Sequence, residues 1–394
     1  MTEGPYKLPE GWRWVRLGEV CEVLMGQSPP SSTYNHDSIG LPFFQGKADF
    51  GELHPTPRVW CTKPMKIAEA GDILISVRAP VGPTNLAKER CCIGRGLAAL
   101  RAGHKVQTDW VLFYLRSIEQ ELGQSGSGST FNAITKKELS AIPIPLPPLD
   151  AQRRIVARIE ALMSRMREAK RLRQQAEEDA ERLWQSVLAE TFPRPGSDLP
   201  EGWRWVRLGE VARREAVLLR PSDYPSQRFR YLGMEHVAAG QWEAPEGVEV
   251  NGQEIKSQVV AFKPGLVLYG KLRPYLNKVV VPCYEGVAST EFVPIAPDPG
   301  VLDAEYLGAF LRTPSFVSYA VRNTTGSRQP RTRLEALWSA LVPLPPLAEQ
   351  RRIVAELEAV QEKLRVLREA QAETDEELKR LERSILDKAF RGEL

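Results

Sequence analysis

Two long stretches of the chain place an apolar residue at every third or fourth position. In the first, the line runs through Ile155, Ile159, Leu162, Met166, Ala169, Arg173, Ala176, Ala180, Leu183 and Val187. In the second, it runs through Ile353, Leu357, Val360, Leu364, Leu367, Gln371, Thr374, Leu378, Leu381 and Ile385. Steps of four and three alternate throughout, which is the heptad seam of a coiled coil. Arg, Glu and Lys crowd the remaining faces, as solvated flanks do. Each stretch predicts a helix of about 36 residues, roughly 54 Å at 1.5 Å per residue. An apolar stripe that long needs a partner, and the other stretch supplies one. An antiparallel pairing with Ile155 facing Ile385 sets Val187 against Ile353. It also brings Arg173 and Gln371 into adjacent layers, where polar seam residues fix register.

A proline run leads into each helix: PIPLPPL at 143–149 and VPLPPL at 342–347. Proline fixes φ and has no N–H, so these are stiff extended segments and not helix interior. Elsewhere the apolar runs are short. Trp12, Trp14 and Leu17, with Arg13 and Arg16 between them, predict an extended segment and then a helical turn at Leu17–Val20. This block reads as a hydrophobic plug. Residues 21–140 are rich in turn formers and carry β-like runs at 72–77 (DILISV) and 96–100 (GLAAL). One helix is predicted over 110–122, with Val111, Leu112, Leu115, Ile118 and Leu122 on one face. GQSGSGS at 123–129 predicts a flexible loop. Residues 212–341 show the same skeleton. GLVLY at 265–269 corresponds to 71–75, 291–295 to the GLAAL run, and 306–311 to the helical start near Trp110.

The chain is two copies of one unit. LPEGWRWVRLGEV occurs at 8–20 and again at 199–211, an offset of 191 (199 − 8). PLPPLDAQRRIVA at 145–157 returns as PLPPLAEQRRIVA at 343–355, an offset of 198 (343 − 145). Ser186, Leu188 and Phe192 match Ser384, Leu386 and Phe390, and Gly128–Ser129 match Gly326–Ser327, at that same offset. The fold class is α/β (α+β): two globular domains joined by two long helices in an antiparallel coiled coil, with internal two-fold pseudo-symmetry. The expected boundaries are 1–150 and 193–345 for the globular domains, and 151–192 and 346–394 for the helices.

Composition narrows the function. Apolar residues make up 42% and charged residues 26%, which is ordinary for a globular chain with its own core. Net charge is only +3, so a nucleic-acid partner must be met by local patches. The cysteines Cys21, Cys61, Cys91, Cys92 and Cys283 form no C-x-x-C pair, and the two halves do not share them. That points to reduced thiols in a cytoplasm and not to a disulfide frame or zinc site. Neither a signal peptide nor a long apolar run is evident, so no membrane partner is expected.

Candidate chemistry lies in polar and basic residues beside glycines, at loops that follow strands. In the first copy these are Gln45 and Lys47 (FFQGK), Arg78 (SVRAP) and Arg95 (IGRG). In the second they are Lys271 and Arg273 (GKLRP), Asn277 and Lys278, and Arg328 and Arg331 within RNTTGSRQPRTR at 322–333. Arg and Lys pair with guanine edges, Gln and Asn with adenine edges, and all of them hold phosphates. Two different sets on one scaffold suggest two reading heads. No phosphate loop and no histidine ligand spacing is present. Glu246, Glu254 and Lys256, in a PE…EIK arrangement, form the alternative: a site-specific nuclease. A scaffold that binds only protein is a third reading.

PEGWRWVRLGEV, FFQGKADFG (43–51), GDILISVRAPVGPTN (71–85), IGRGLAAL (93–100), the 129–156 block and SILDKAFRGEL (384–394) together resemble the specificity subunit of type I restriction-modification systems. The resemblance covers essentially the whole chain. In the second copy GSRQPRTR replaces GSTFNAIT, and no FFQGK or IGRG counterpart is evident. The resemblance implies that each variable segment is a target-recognition domain for one half of a split DNA sequence. It implies that the helices set the gap and dock methyltransferase subunits, expected to be two. Those subunits and the restriction/translocase subunits would supply catalysis, with S-adenosylmethionine, ATP and magnesium. This chain is then expected to hold no cofactor and to be non-catalytic by itself.

Overall fold

The computed structural model describes residues 4–125 and 133–394. Most of the predicted GQSGSGS loop, and Gly128–Ser129, lie outside the described residues. The chain divides into two compact units: Met1–Leu172 with Glu373–Leu394, and Arg173–Ala372.

In the first unit, a four-stranded antiparallel sheet runs in the order Cys21–Met25, Leu97–Ala102, Ile73–Ser76, Thr84–Leu86. The predicted strands at 72–77 and 96–100 are thus its two central members. A second, five-stranded sheet contains a parallel pair, Leu41–Phe44 beside Cys91–Ile93. In the second unit, Ala212–Arg214, Phe292–Pro297, Val267–Gly270 and Val279–Val280 repeat the first sheet in the same order. Its parallel pair is Arg228–Leu232 beside Gly286–Ser289.

The repeated blocks explain themselves physically. Arg13–Arg16 pairs with Pro143–Leu146, and Arg204–Arg207 with Leu341–Leu344, in two-stranded ribbons. The proline runs are therefore strands, a pairing not evident from sequence. Proline is tolerated because a ribbon strand has a free edge. The free carbonyls are used: Trp110 Nε1 donates to Pro145 O at 2.9 Å, and Tyr114 Oη to Pro143 O at 2.6 Å. Tyr306 Oη does the same to Pro343 O at 2.7 Å in the second unit. Leu17 and Leu208 sit fully buried beneath the helical turns, as the plug reading expects. The predicted helix over 110–122 is two helices, Thr108–Ser117 and Glu119–Ser125, broken at Ile118.

The long helices are Leu149–Thr191 and Leu347–Arg391, 43 and 45 residues, longer than the stripes because each starts directly after its last proline. In the first unit, Phe390 packs 4.7 Å from Trp110, beside the start of the central helix, while Glu382 pairs with Lys170 at 3.3 Å. In the second, Phe192 packs 5.2 Å from Tyr306, beside the start of the C-terminal helix, while Glu181 pairs with Arg368 at 3.4 Å. Within each unit the two helix segments therefore run antiparallel.

The expected register is wrong. It would set Lys170 against residue 370 and Glu181 against 359, whereas the observed partners lie 12 (382 − 370) and 9 (368 − 359) residues further along. The aromatic ends seated in the globular cores set the register, which a count of seam residues does not see. The buried line is also displaced from the expected one. Ile159 and Met166 are buried as expected, but Val156 and Met163 replace Ile155 and Leu162 near the start of the central helix, and Trp184 and Leu188 replace Leu183 and Val187 near its end, where Leu183 is 55% exposed. Between Met166 and Ala180, and between Leu364 and Ile385, no residue is fully buried. Arg173 and Gln371 lie in these half-wet stretches.

Candidate nucleic-acid interface

In the first unit, Gln45, Lys47, Arg78 and Arg95 line one open cleft of about 520 Å³, with Ser28 and Tyr34. The parallel pairing of Phe43 with Cys92 and Phe44 with Ile93 ends both strands at the same edge, so the FFQGK and IGRG loops emerge side by side. Ligands commonly bind beyond such carboxyl ends. Backbone bonds stitch the loops together: Gly94 N–H to Phe44 O at 2.8 Å and Val77 N–H to Gly96 O at 2.9 Å. Arg95 N–H also donates to Ser28 Oγ at 3.3 Å. Gly96 is required by this crowding, because a Cβ there would lie 2.2 Å from Gln45 O. Asp49 accepts the Gln45 N–H at 2.7 Å and closes the turn over Lys47–Asp49. The side chains of Lys47, Arg78 and Arg95 are exposed, and among the described residues none of them has an ion-pair partner. Three unneutralised cations around a cleft attract phosphates and offer donors to base edges.

The second unit does hold counterparts of these loops, identified by strand pairing. Tyr231 and Leu232 pair with Val287 and Ala288, as Phe43 and Phe44 pair with Cys92 and Ile93. The turn Met234–His236 then matches Lys47–Asp49, and His236 Nδ1 accepts the Gly233 N–H at 3.0 Å where Asp49 serves in the first unit. The IGRG loop corresponds to residues 288–291. Sequence comparison missed both because almost no side chain is kept.

The second set of candidate residues is more engaged. Lys271 Nζ donates to Thr290 O at 2.8 Å, Lys278 Nζ to Met234 O at 2.7 Å, and Asn277 Nδ2 to Arg312 O at 3.0 Å. Arg331 is paired with Glu291 at 2.8 Å, and that guanidinium holds the Glu291 carboxyl below the usual carboxylate range. Arg273 is exposed, with a left-handed φ of 50°, and its N–H donates to Pro330 O at 2.7 Å. Arg328 is exposed on the turn of the Thr324–Thr325 and Arg331–Thr332 hairpin. Lys271, Arg273 and Arg331 thus share one edge, while Asn277 lines a separate hollow with Tyr275 and Gln185. Glu291 carried no signal in the sequence, because its partner lies 40 residues away.

A family model described as the type I restriction modification DNA specificity domain matches residues 9–178. A chain from a solved type I R-M system, described for its complex assembly and conformational transition, is 32% identical over 99% of this chain and 100% of its own, with a TM-score of 0.78. The crystal structure of the HsdS subunit from Thermoanaerobacter tengcongensis is 33% identical, with 100% of both chains covered and a TM-score of 0.58. This chain belongs to the type I restriction-modification specificity subunits. Another member, the EcoDI specificity subunit of Escherichia coli, is 24% identical over 98% of this chain and 90% of its own length. The MjaX specificity subunit of Methanocaldococcus jannaschii is 43% identical over 185 residues, but these span only 44% of that protein.

As a specificity subunit, the chain recognises DNA sequence and is not one of the catalytic subunits. The nuclease alternative therefore falls. Its Glu254 is instead a turn cap, accepting the Asn251 N–H at 3.2 Å and Asn251 Nδ2 at 2.9 Å. Among the described residues, no cluster of three or more His, Cys, Asp or Glu is placed to hold a metal, and no helix is long and apolar enough to cross a membrane.

Proposed function

We propose that each unit reads one half of a bipartite duplex target through the loop edge described above, and that the long helices dock methyltransferase subunits, two per chain. S-adenosylmethionine chemistry belongs to those partners; ATP-driven translocation and cleavage belong to restriction subunits that join them, in the cytoplasm. What supports this reading is that equivalent strand ends in the two units carry unlike polar sets. A shared scaffold with different letters is what two half-sequences require.

The test is methylation-sensitive sequencing of a host carrying the complete system. Arg78→Ala or Arg95→Ala is expected to relax or weaken one half-sequence only, and Arg273→Ala the other. Removing a hydrogen bond to a base edge costs about 1–3 kcal/mol and alters the preferred base. Removing a bond to phosphate weakens binding to all sequences and flattens the salt dependence. Unchanged target and activity in all three variants would refute the assignment.

A further inference from the structure

We infer that Arg331 reads a guanine in the second half-sequence, and that Glu291 is the positioning residue that aims it. This rests on the proposed reading that the second unit contacts one half-site.

The geometry is that of a braced guanidinium. Nε and Nη2 of Arg331 donate to the Glu291 carboxylate at 2.8–3.1 Å, which occupies one side of the guanidinium group. The other edge, Nη1 with the second proton of Nη2, meets only Gln329 among the described residues, through two bonds of 3.3 Å. Bonds that long are readily exchanged for better acceptors. Once released from Gln329, that edge presents two parallel donors, the pattern that matches guanine O6 and N7 in the major groove. Arg331 remains 39% exposed, so that edge is reachable.

The brace is itself anchored. Lys271 Nζ lies 4.0 Å from Glu291 and is fixed on Thr290 O. The Arg331 backbone is held on both sides: Arg273 N–H donates to Pro330 O at 2.7 Å, and Thr332 N–H to Lys271 O at 2.9 Å. Thr332 Oγ1 also meets the buried Tyr269 hydroxyl at 2.9 Å. A side chain locked in this way gives up little freedom on binding, which turns a generic cation into a directional reader.

The first unit cannot build the same device. Its backbone bridge pairs Arg78 with Ala133 where the second unit pairs Leu272 with Arg331. Gly96 stands where Glu291 stands, since Val77 N–H and Lys271 N–H donate to their respective carbonyls, and Gly96 has no room for a side chain. The two heads therefore differ in kind: unpaired cations in one, a braced arginine in the other.

The experiment uses the assembled methyltransferase and duplexes carrying the mapped target. The unmodified complex is expected to lose about tenfold to a hundredfold in methylation rate when one second-half guanine is replaced by 7-deazaguanine, which lacks the N7 acceptor. Arg331→Gln should match that loss on the natural duplex and be insensitive to the 7-deaza change. Glu291→Gln should lower discrimination at the same base pair and at no other, and should add nothing in the Arg331→Gln background. The inference is overturned if no second-half guanine responds to 7-deaza substitution, if the Arg331 effect falls at another base pair, or if the two substitutions act independently. Because the 7-deaza arm needs no variant, the inference stays open to refutation even if either variant misfolds. If Arg78 and Arg95 still govern the first half-sequence while these arms fail, only this inference falls. If those also fail, the half-site reading falls with it.

Discussion

At the residue scale, the repeated QRRIV block carries a buried polar clamp. Gln152 is fully buried at the first turn of the central helix. Its Oε1 accepts the Gln107 N–H at 2.9 Å, and its Nε2 donates to Pro147 O at 2.9 Å and Lys105 O at 3.3 Å. Gln350 repeats the arrangement with Asp303 N–H at 2.8 Å and with Pro345 O and Val301 O at 2.9 Å each. One amide thus ties the start of each long helix to the end of its proline run and to the loop before an earlier helix, Thr108–Ser117 in the first unit and Ala304–Leu311 in the second. Gln152→Ala strands two carbonyls and an N–H, a cost of about 3 kcal/mol. For a unit of this size that lowers the melting temperature by roughly 2–4 °C per kcal/mol. Calorimetry should show Gln350→Ala acting alike on the second unit, and unchanged melting would refute the clamp. The glycine-flanked cations of the first unit were legible in the sequence because glycine marks a crowded loop and an unpaired cation needs no partner to be noticed. In the second unit the same reading overlooked the bonds that hold Lys271, Asn277, Lys278 and Arg331, since each partner is remote in sequence.

At the element scale, periodicity gave the helices their existence and their company but not their phase. The alternating three-and-four spacing identified both helices, and the proline runs marked where each begins. It misjudged which residues are buried, since Leu367, Leu183 and Leu381 of the expected stripes are exposed, and it misplaced the register. Aromatic ends correct the register. Phe390 lies 4.7 Å from Trp110 and 5.1 Å from Tyr114, and Phe192 lies 5.2 Å from Tyr306 and 5.8 Å from Phe310. Each globular core thus holds the start of one long helix and the end of the other. Phe390→Ala is expected to destabilise the first unit by about 3–5 kcal/mol, and Phe192→Ala the second, as full truncations of buried rings do. Denaturant unfolding measures this. A loss below about 1 kcal/mol in either variant would mean that the ring is not the anchor.

At the scale of the whole molecule, each long helix contributes residues to both units, and on the proposed reading its length sets the gap between the two half-sequences. Lys170–Glu382 ties the helices in the first unit and Glu181–Arg368 in the second. A heptad inserted between Lys170 and Glu181, with another between Arg368 and Glu382, leaves both ion pairs and both aromatic ends in place. These insertion points follow from the observed register. Each heptad adds about 10.5 Å of helix, or about three base pairs at 3.4 Å each. The unread gap in the methylated sequence should therefore grow by about three base pairs per heptad while both half-sequences stay the same. Three base pairs also turn the groove by nearly a third of a turn, so a single heptad should lower activity. Three heptads add about 31.5 Å, close to the 34–36 Å of one DNA turn, and should recover activity relative to one or two. Methylation mapping of the series decides the matter. An unchanged gap with full activity would mean that the helices are not the ruler, and altered half-sequences would mean that the helices read bases themselves.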